Sequence, residues 1–283
     1  METERALPRA LMGGTKAMRR AGEKYLPQEP GESDKAYDVR LNRSFLFNGY
    51  AKTIEDMAGK VFAKPIAIGD DMPPDLKKCA ENVDLQGRNL DMFGHAVFKD
   101  GLAEGISYIL VDMDAAKVGD DGRPLRLSKA ETANRRPWMA QIKAADVIGW
   151  RSETIEGVER LTQFRFWETT SENAGDFGES IIRQIRVFSR DAGGTTWQIW
   201  RQASGTATWA IHEQGSVTIG EIAVCPVYVS RTGFMTGLPP LANLAEVNLA
   251  HWQSQSDQKS ILHAARVPIP PPQGFLRHRR RLI

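Results

Sequence analysis

GLPPLANLAEVNLAHWQSQSDQKSILHAARV, residues 237–267, is the longest helix-compatible run in the sequence. Pro239 and Pro240 mark its start, because proline is tolerated in a first helical turn, where the N–H groups lack intrahelical partners; neither Pro nor Gly recurs until Pro268. At 1.5 Å per residue, a helix from Leu238 to Val267 would be roughly 45 Å long. Its faces differ. Leu241, Ala245, Leu249 and Trp252 line one side, Asn248, His251 and Gln255 form a neutral polar stripe beside it, and Glu246 and Asp257 lie opposite the seam. One narrow apolar seam cannot bury so long a rod. Two readings follow: an amphipathic helix capping an α+β domain, or a helix that packs against copies of itself or a partner, with amide side chains between neighbours.

Upstream of this run the pattern is that of strands. Candidates are Gly105 to Asp112, Trp138 to Ile142, Asp146 to Glu153, Arg160 to Glu168, Ile181 to Ser189, Thr196 to Arg201, Thr208 to Glu213 and Ala223 to Val229. Polar and apolar residues alternate well in Ile181–Phe188 and Trp197–Trp200, and glycines at 157, 175, 193, 194, 205 and 215 punctuate them as antiparallel hairpin turns would. Trp138, Trp150, Trp167, Trp197 and Trp200 fall within these strands, where sheet packing accounts for them. Further toward the amino terminus the period is helical. Residues 3–22 form one short helix ended by Gly22, Glu32 to Phe62 a second helical run with basic edges that Gly49 would break or bend, and shorter helical stretches follow Pro74 and Leu85. The order is helices, then a mostly antiparallel sheet, then the long helix, which is α+β. The chain divides into a helical part at 1–104, a β-rich part at 105–236, the long helix at 237–267 and a Pro/Arg-rich tail at 268–283.

Charge narrows the function classes. The formal total of +2 conceals an asymmetry, since all 35 acidic residues lie at or before Asp257. The chain up to that residue holds 31 basic residues against those 35, a net of −4, which is not the balance of a nucleic-acid-gripping domain. Cys79 and Cys225 are isolated, without zinc-ligand spacing or a disulfide framework, and no run approaches eighteen apolar residues, so no membrane partner is expected.

Chemistry-bearing patterns are sparse. Asp112 and Asp114 form a DxD pair after an apolar strand, a pattern that can hold a divalent metal and would suit a metal-dependent transferase, although two acids at a strand end more often only terminate it. The five histidines have no metal-ligand spacing, and Gly13-Gly14-Thr15-Lys16 lacks both the spacing and the preceding strand of a phosphate loop. No nucleophile motif appears, so no catalytic residue is assigned and no cofactor is expected. Arg277, Arg279, Arg280 and Arg281 form a basic tail that could serve a DNA-binding adaptor.

Several stretches together resemble the portal proteins of tailed bacteriophages, of a podovirus-type group. They are Tyr25-Leu26-Pro27 with Glu32-Ser33 and Ala36-Tyr37 ahead of Arg40-Leu41; Gly59-Lys60-Val61-Phe62 with Lys64-Pro65; Gly105 to Asp112; Val147-Ile148-Gly149-Trp150-Arg151; and Pro239-Pro240-Leu241 with Leu244-Ala245, Asn248, His251-Trp252-Gln253 and Ser256-Asp257. The resemblance implies a non-enzymatic homo-oligomer, a ring of usually twelve subunits at one capsid vertex of the virion, assembled in the host cytoplasm. Terminase would drive double-stranded DNA through that ring, and head-completion or tail proteins would attach to it. It also implies that the helical and β-rich parts form a wing and that residues 237–267 form a stem helix. On that view Asn248, His251, Trp252 and Gln255 are candidates for the subunit interface or the channel. The carboxyl end departs from the pattern, because portals continue with a clip and a return helix. The expectation is a truncated chain whose last dozen residues are out of frame, the alternative being a basic tail that binds nucleic acid.

Overall fold

The computed structural model describes residues 2–113, 136–203, 207–217 and 219–266. Within them the chain forms seven α-helices and antiparallel sheets, an α+β fold. It divides into two compact units. The first contains Met1–Arg5 and Thr53–Leu241; the second joins Ala6–Lys52 to the segment beginning at Ala242.

The first unit is built on two sheets. Strand β1 (Ile106–Asp112) lies between β2 (Trp138–Ile142) and β8 (Val224–Tyr228), both antiparallel to it. The second sheet is a five-stranded meander of β3 (Val147–Ile155), β4 (Val158–Ala174), β5 (Gly178–Asp191), β6 (Gly194–Gln202) and β7 (Trp209–Val217). Each of its strands falls on an expected one, because alternation and glycine turns are local signals, but β4 runs past the expected end at Glu168 to Ala174 and β7 past Glu213 to Val217. Strand β8 departs from a simple meander by returning to pair with β1, Ile106 opposite Tyr228 and Leu110 opposite Val224. A short hairpin of β9 (Arg231–Gly233) and β10 (Thr236–Gly237) follows.

One core joins the two sheets. Ile106, Tyr108 and Leu110 from β1 are buried with Phe164, Phe166 and Phe188 from the meander, in a chain of aromatic contacts with centroids 5.4 to 6.4 Å apart. Tyr108 donates its hydroxyl to the Met235 carbonyl at 2.9 Å, and burial pushes the phenol up to about 12. Helix α5 (Pro74–Glu81) precedes α6 (Leu90–Glu104), which begins at Asn89, whose side chain accepts from Met92 N, and ends at Gly105 in the left-handed region, φ +86°. A Cβ at Gly105 would lie 2.2 Å from the Leu238 carbonyl oxygen, so only glycine lets these backbones meet.

The second unit is helical. It includes most of α1 (Glu2–Met12), α2 (Gly14–Ala21), α3 (Asp34–Arg43), the first turn of α4 (Gly49–Val61) and α7 (Ala242–Ala265). Two sequence expectations shift here and one alternative is chosen. The single helix over 3–22 is interrupted at Gly13-Gly14, Gly14 having φ +69°, and the helical run over 32–62 is broken, with residues 44–48 outside any helix and the second helix starting at Gly49. Asn48 restarts the chain, its side chain accepting from Ala51 N at 3.0 Å and donating to Leu11 O at 2.7 Å. The last helix begins at Ala242, not Leu238, because residues 236 and 237 are held in β10 and Leu238 N donates to Ser230 O at 3.1 Å. The boundaries at 104 and 237 read from the sequence therefore differ from the compact units. Periodicity marks where elements change type, not which distant elements share a core.

Candidate assembly surface

The buried face of α7 is made by Ala245, Asn248, Trp252 and Ser256, with Leu249 half-buried beside them. Thus the seam is not wholly apolar. Asn248 is 5% exposed and spends its amide inside the unit: its Oδ1 accepts from Tyr50 N at 2.8 Å and its Nδ2 donates to Phe47 O at 2.9 Å. It acts as a side-chain cap joining α7 to the start of α4. Trp252 is fully buried, and its indole N–H has no acceptor among the described residues. Of the four residues singled out as contacts to a neighbour or channel, Asn248 and Trp252 are thus committed to the interior. His251 is exposed, its ring edge-on to Phe47 at 5.7 Å, and Gln255 is half-buried.

Opposite the buried face, α7 presents Val247 and Ile261, 66% and 68% exposed, four turns apart and within about 40° of each other around a 3.6-residue helix, with Leu262 close by. Every described side chain from Asp257 to His263 is exposed. Phe45 and Phe47 in the segment before α4 are exposed as well, at 55% and 65%. A helix exposed all round from Asp257 to His263, with aliphatic residues outward along its open face, has packing surface to spare.

Beside α7 lies a groove of about 470 Å³ between it and α3. Ala36 and Val39 supply apolar lining, Ser256 and Ser260 come from α7, and Lys35, Arg43 and Lys259 add positive charge. These three cations have no ion-pair partner among the described residues, although Lys259 lies 5.6 Å from the Phe45 ring centroid. Arg40 is different. It holds Glu32 through bonds of 2.8 and 2.9 Å and approaches Asp257 at 3.8 Å, and its guanidinium keeps the Glu32 carboxyl below the usual range. Ser256 is 2% exposed, and its hydroxyl has no partner among the described residues.

The remaining sequence candidates fall elsewhere. Asp112 ends β1 with its Oδ2 on Arg186 at 2.7 Å and its Oδ1 accepting from Met113 N, and the Arg186 guanidinium also reaches Glu168 and sits over Phe188 and Trp197. One carboxylate so engaged belongs to a half-buried charge pair, and no cluster of three metal-ligating side chains occurs among the described residues. Asp114 and the arginines at 277, 279, 280 and 281 lie outside the described residues. Among the described residues no helix is long and apolar enough to cross a membrane. Of the five tryptophans that sheet packing was expected to account for, Trp167 is half-buried, 5.6 Å from Trp209, with Arg183 at 4.0 Å over its ring.

Residues 240–279 match the model of a domain of unknown function, DUF4055. The match begins just before α7 and runs on through the proline-rich segment to Arg279. No curated protein matches the chain.

Proposed function

We propose that this chain is a structural subunit of a tailed-phage portal, which acts by assembling with copies of itself into a ring around double-stranded DNA at the capsid vertex, and not by catalysis. The observation that carries the reading is the uncovered face of α7, where Val247, Ile261 and Leu262 stand in solvent and no described side chain from Asp257 to His263 is buried. A soluble monomer gains nothing from such a face, whereas a neighbouring copy would bury it at about 25 cal/mol per Å² of apolar surface. The resemblance of the sequence to portal proteins supplies the kind of assembly. It also supplies the expected partners, terminase and head-completion or tail proteins, and the location, the virion after assembly in the host cytoplasm. The net negative charge up to Asp257 suits a conduit through which DNA slides.

Native mass spectrometry and negative-stain microscopy of the full chain test this. The expected result is a closed ring of identical subunits, dissociated by Val247→Asp with Ile261→Asp. A monomer at every accessible concentration would refute it.

A further inference from the structure

Strands β4 and β5 continue beyond their sheet. Strand β6 first pairs with β5 at Ile185, so the ladder from Thr170↔Ile182 to Ala174↔Gly178 is a two-stranded ribbon about 17 Å long at ~3.4 Å per residue. Its tip is the turn at residues 175–177, with Gly175 at φ +72°. Phe177 there is entirely exposed and Ile181 is 77% exposed. Residues 170–182 include Glu172, Asp176 and Glu179 but no Lys or Arg. Glu172 is held by Arg201 at 2.6 Å, whereas Asp176 and Glu179 have no ion-pair partner among the described residues. Isolated two-stranded ribbons are marginal in water, and this one carries an aromatic ring at its end with nothing over it.

The groove between α3 and α7 has the complementary character. Ala36 and Val39 offer apolar lining, and among the described residues Lys35, Arg43 and Lys259 have no ion-pair partner and the Ser256 hydroxyl no hydrogen-bond partner. We infer that the β4–β5 tip of one copy docks in the α3/α7 groove of another. Phe177 packs on Ala36 and Val39 while Asp176 and Glu179 meet Lys35, Arg43 and Lys259. Such a contact is heterologous, one surface of each copy meeting a different surface of the next, which is the arrangement that closes rings. A nucleic-acid backbone fits the groove less well, because phosphate has no use for the apolar lining of Ala36 and Val39. The inference rests on the self-assembly reading and deepens it by naming a second contact between copies, beside the open Val247–Ile261 face of α7.

The test uses two separately tagged preparations of the full chain, both carrying Cys79→Ser and Cys225→Ser. One adds Ser180→Cys beside the tip, the other Ser260→Cys in the groove, and the mixture is treated with a short bismaleimide. The expected product is a mixed-tag dimer joined between positions 180 and 260. Its yield should fall at least tenfold with Phe177→Ser in the tip copy or with Arg43→Glu plus Lys259→Glu in the groove copy. Asp176→Lys plus Glu179→Lys in the tip copy should restore the yield against the reversed groove, which a misfolded variant could not do. Assembly by native mass with no 180–260 product, or with a product indifferent to these substitutions, overturns the docking and leaves the assembly reading intact. A strictly monomeric wild-type chain with no product overturns both. Loss of double-stranded DNA retention in Arg43→Glu without any mixed-tag product assigns the groove to nucleic acid and overturns the docking.

Discussion

Replacing Asn248 by Ala tests whether α7 is tied to the start of α4 through one amide. In the native unit that side chain satisfies the Tyr50 N–H at 2.8 Å and the Phe47 carbonyl at 2.9 Å from a position only 5% exposed. Alanine takes the acceptor from the buried Tyr50 N–H and one of two donors from the Phe47 carbonyl, which keeps the Gly49 N–H at 2.9 Å. One buried N–H that loses its partner costs about 1–3 kcal/mol, so the unit should lose about 1–3 kcal/mol. At 1.36 kcal/mol per tenfold this is a fall of roughly 5- to 160-fold in hydrogen-exchange protection at residues 45–52 and 242–256, wherever the unit opens as a whole. Exchange read by peptide mass spectrometry checks this directly, and peptides from β1 and the meander serve as internal controls. Asn248→Asp should be intermediate, because it keeps an acceptor for Tyr50 N but sets a carboxylate oxygen against the Phe47 carbonyl. Protection within about threefold of wild type for Asn248→Ala would refute the argument, as would an equal loss in the β1 peptides.

Two further substitutions probe the first unit. Asp100 on α6 is a carboxyl raised to about 6, first by burial, then by Glu104, against the opposing pull of Ser107, Lys143 and the Ala144 amide. The folded state therefore holds its proton more tightly than the unfolded chain. Stability from this group is full below about pH 4 and is lost as pH rises through about 6, on the order of 3 kcal/mol. Asp100→Asn should flatten that slope in urea titrations between pH 4 and 7 and stabilise the protein at neutral pH; a slope unchanged by the substitution would contradict it. Gly105→Ala forces a Cβ to 2.2 Å from Leu238 O at φ +86° and should cost at least about 3 kcal/mol in urea unfolding. A loss under about 1 kcal/mol would mean that the two backbones can separate freely.

How much was legible in advance differs between strands and surfaces. The strands of the meander were readable because each carries its own signal: alternation in Ile181–Phe188, and glycines at Gly157, Gly175 and Gly193-Gly194 where the chain reverses. The α7 stripe was only half readable. Helical spacing groups Asn248 with His251 and Gln255, yet Asn248 faces inward, because two backbone groups near the start of α4 need an amide more than water does. Asp112 was visible as an acid at a strand end, but its partner Arg186 lies 74 residues away and no spacing rule reaches that far. The ribbon tip was missed although its signal was present, an aromatic residue between glycines in an acidic run, because exposure depends on where β6 stops pairing.

The amino-acid sequence alone determined the fold class, the position of almost every strand, the long last helix and the uneven charge, since all of these follow from composition and from periods of 2.0 and 3.6 residues within one segment. Tertiary structure decided that β8 leaves the meander to flank β1, and that residues 6–52 join the last helix in one unit. It also decided which side of that helix is covered and which side stands open. A period tells a segment that it has two faces; only the satisfaction of buried backbone groups and the closing of a shared core choose what each face meets.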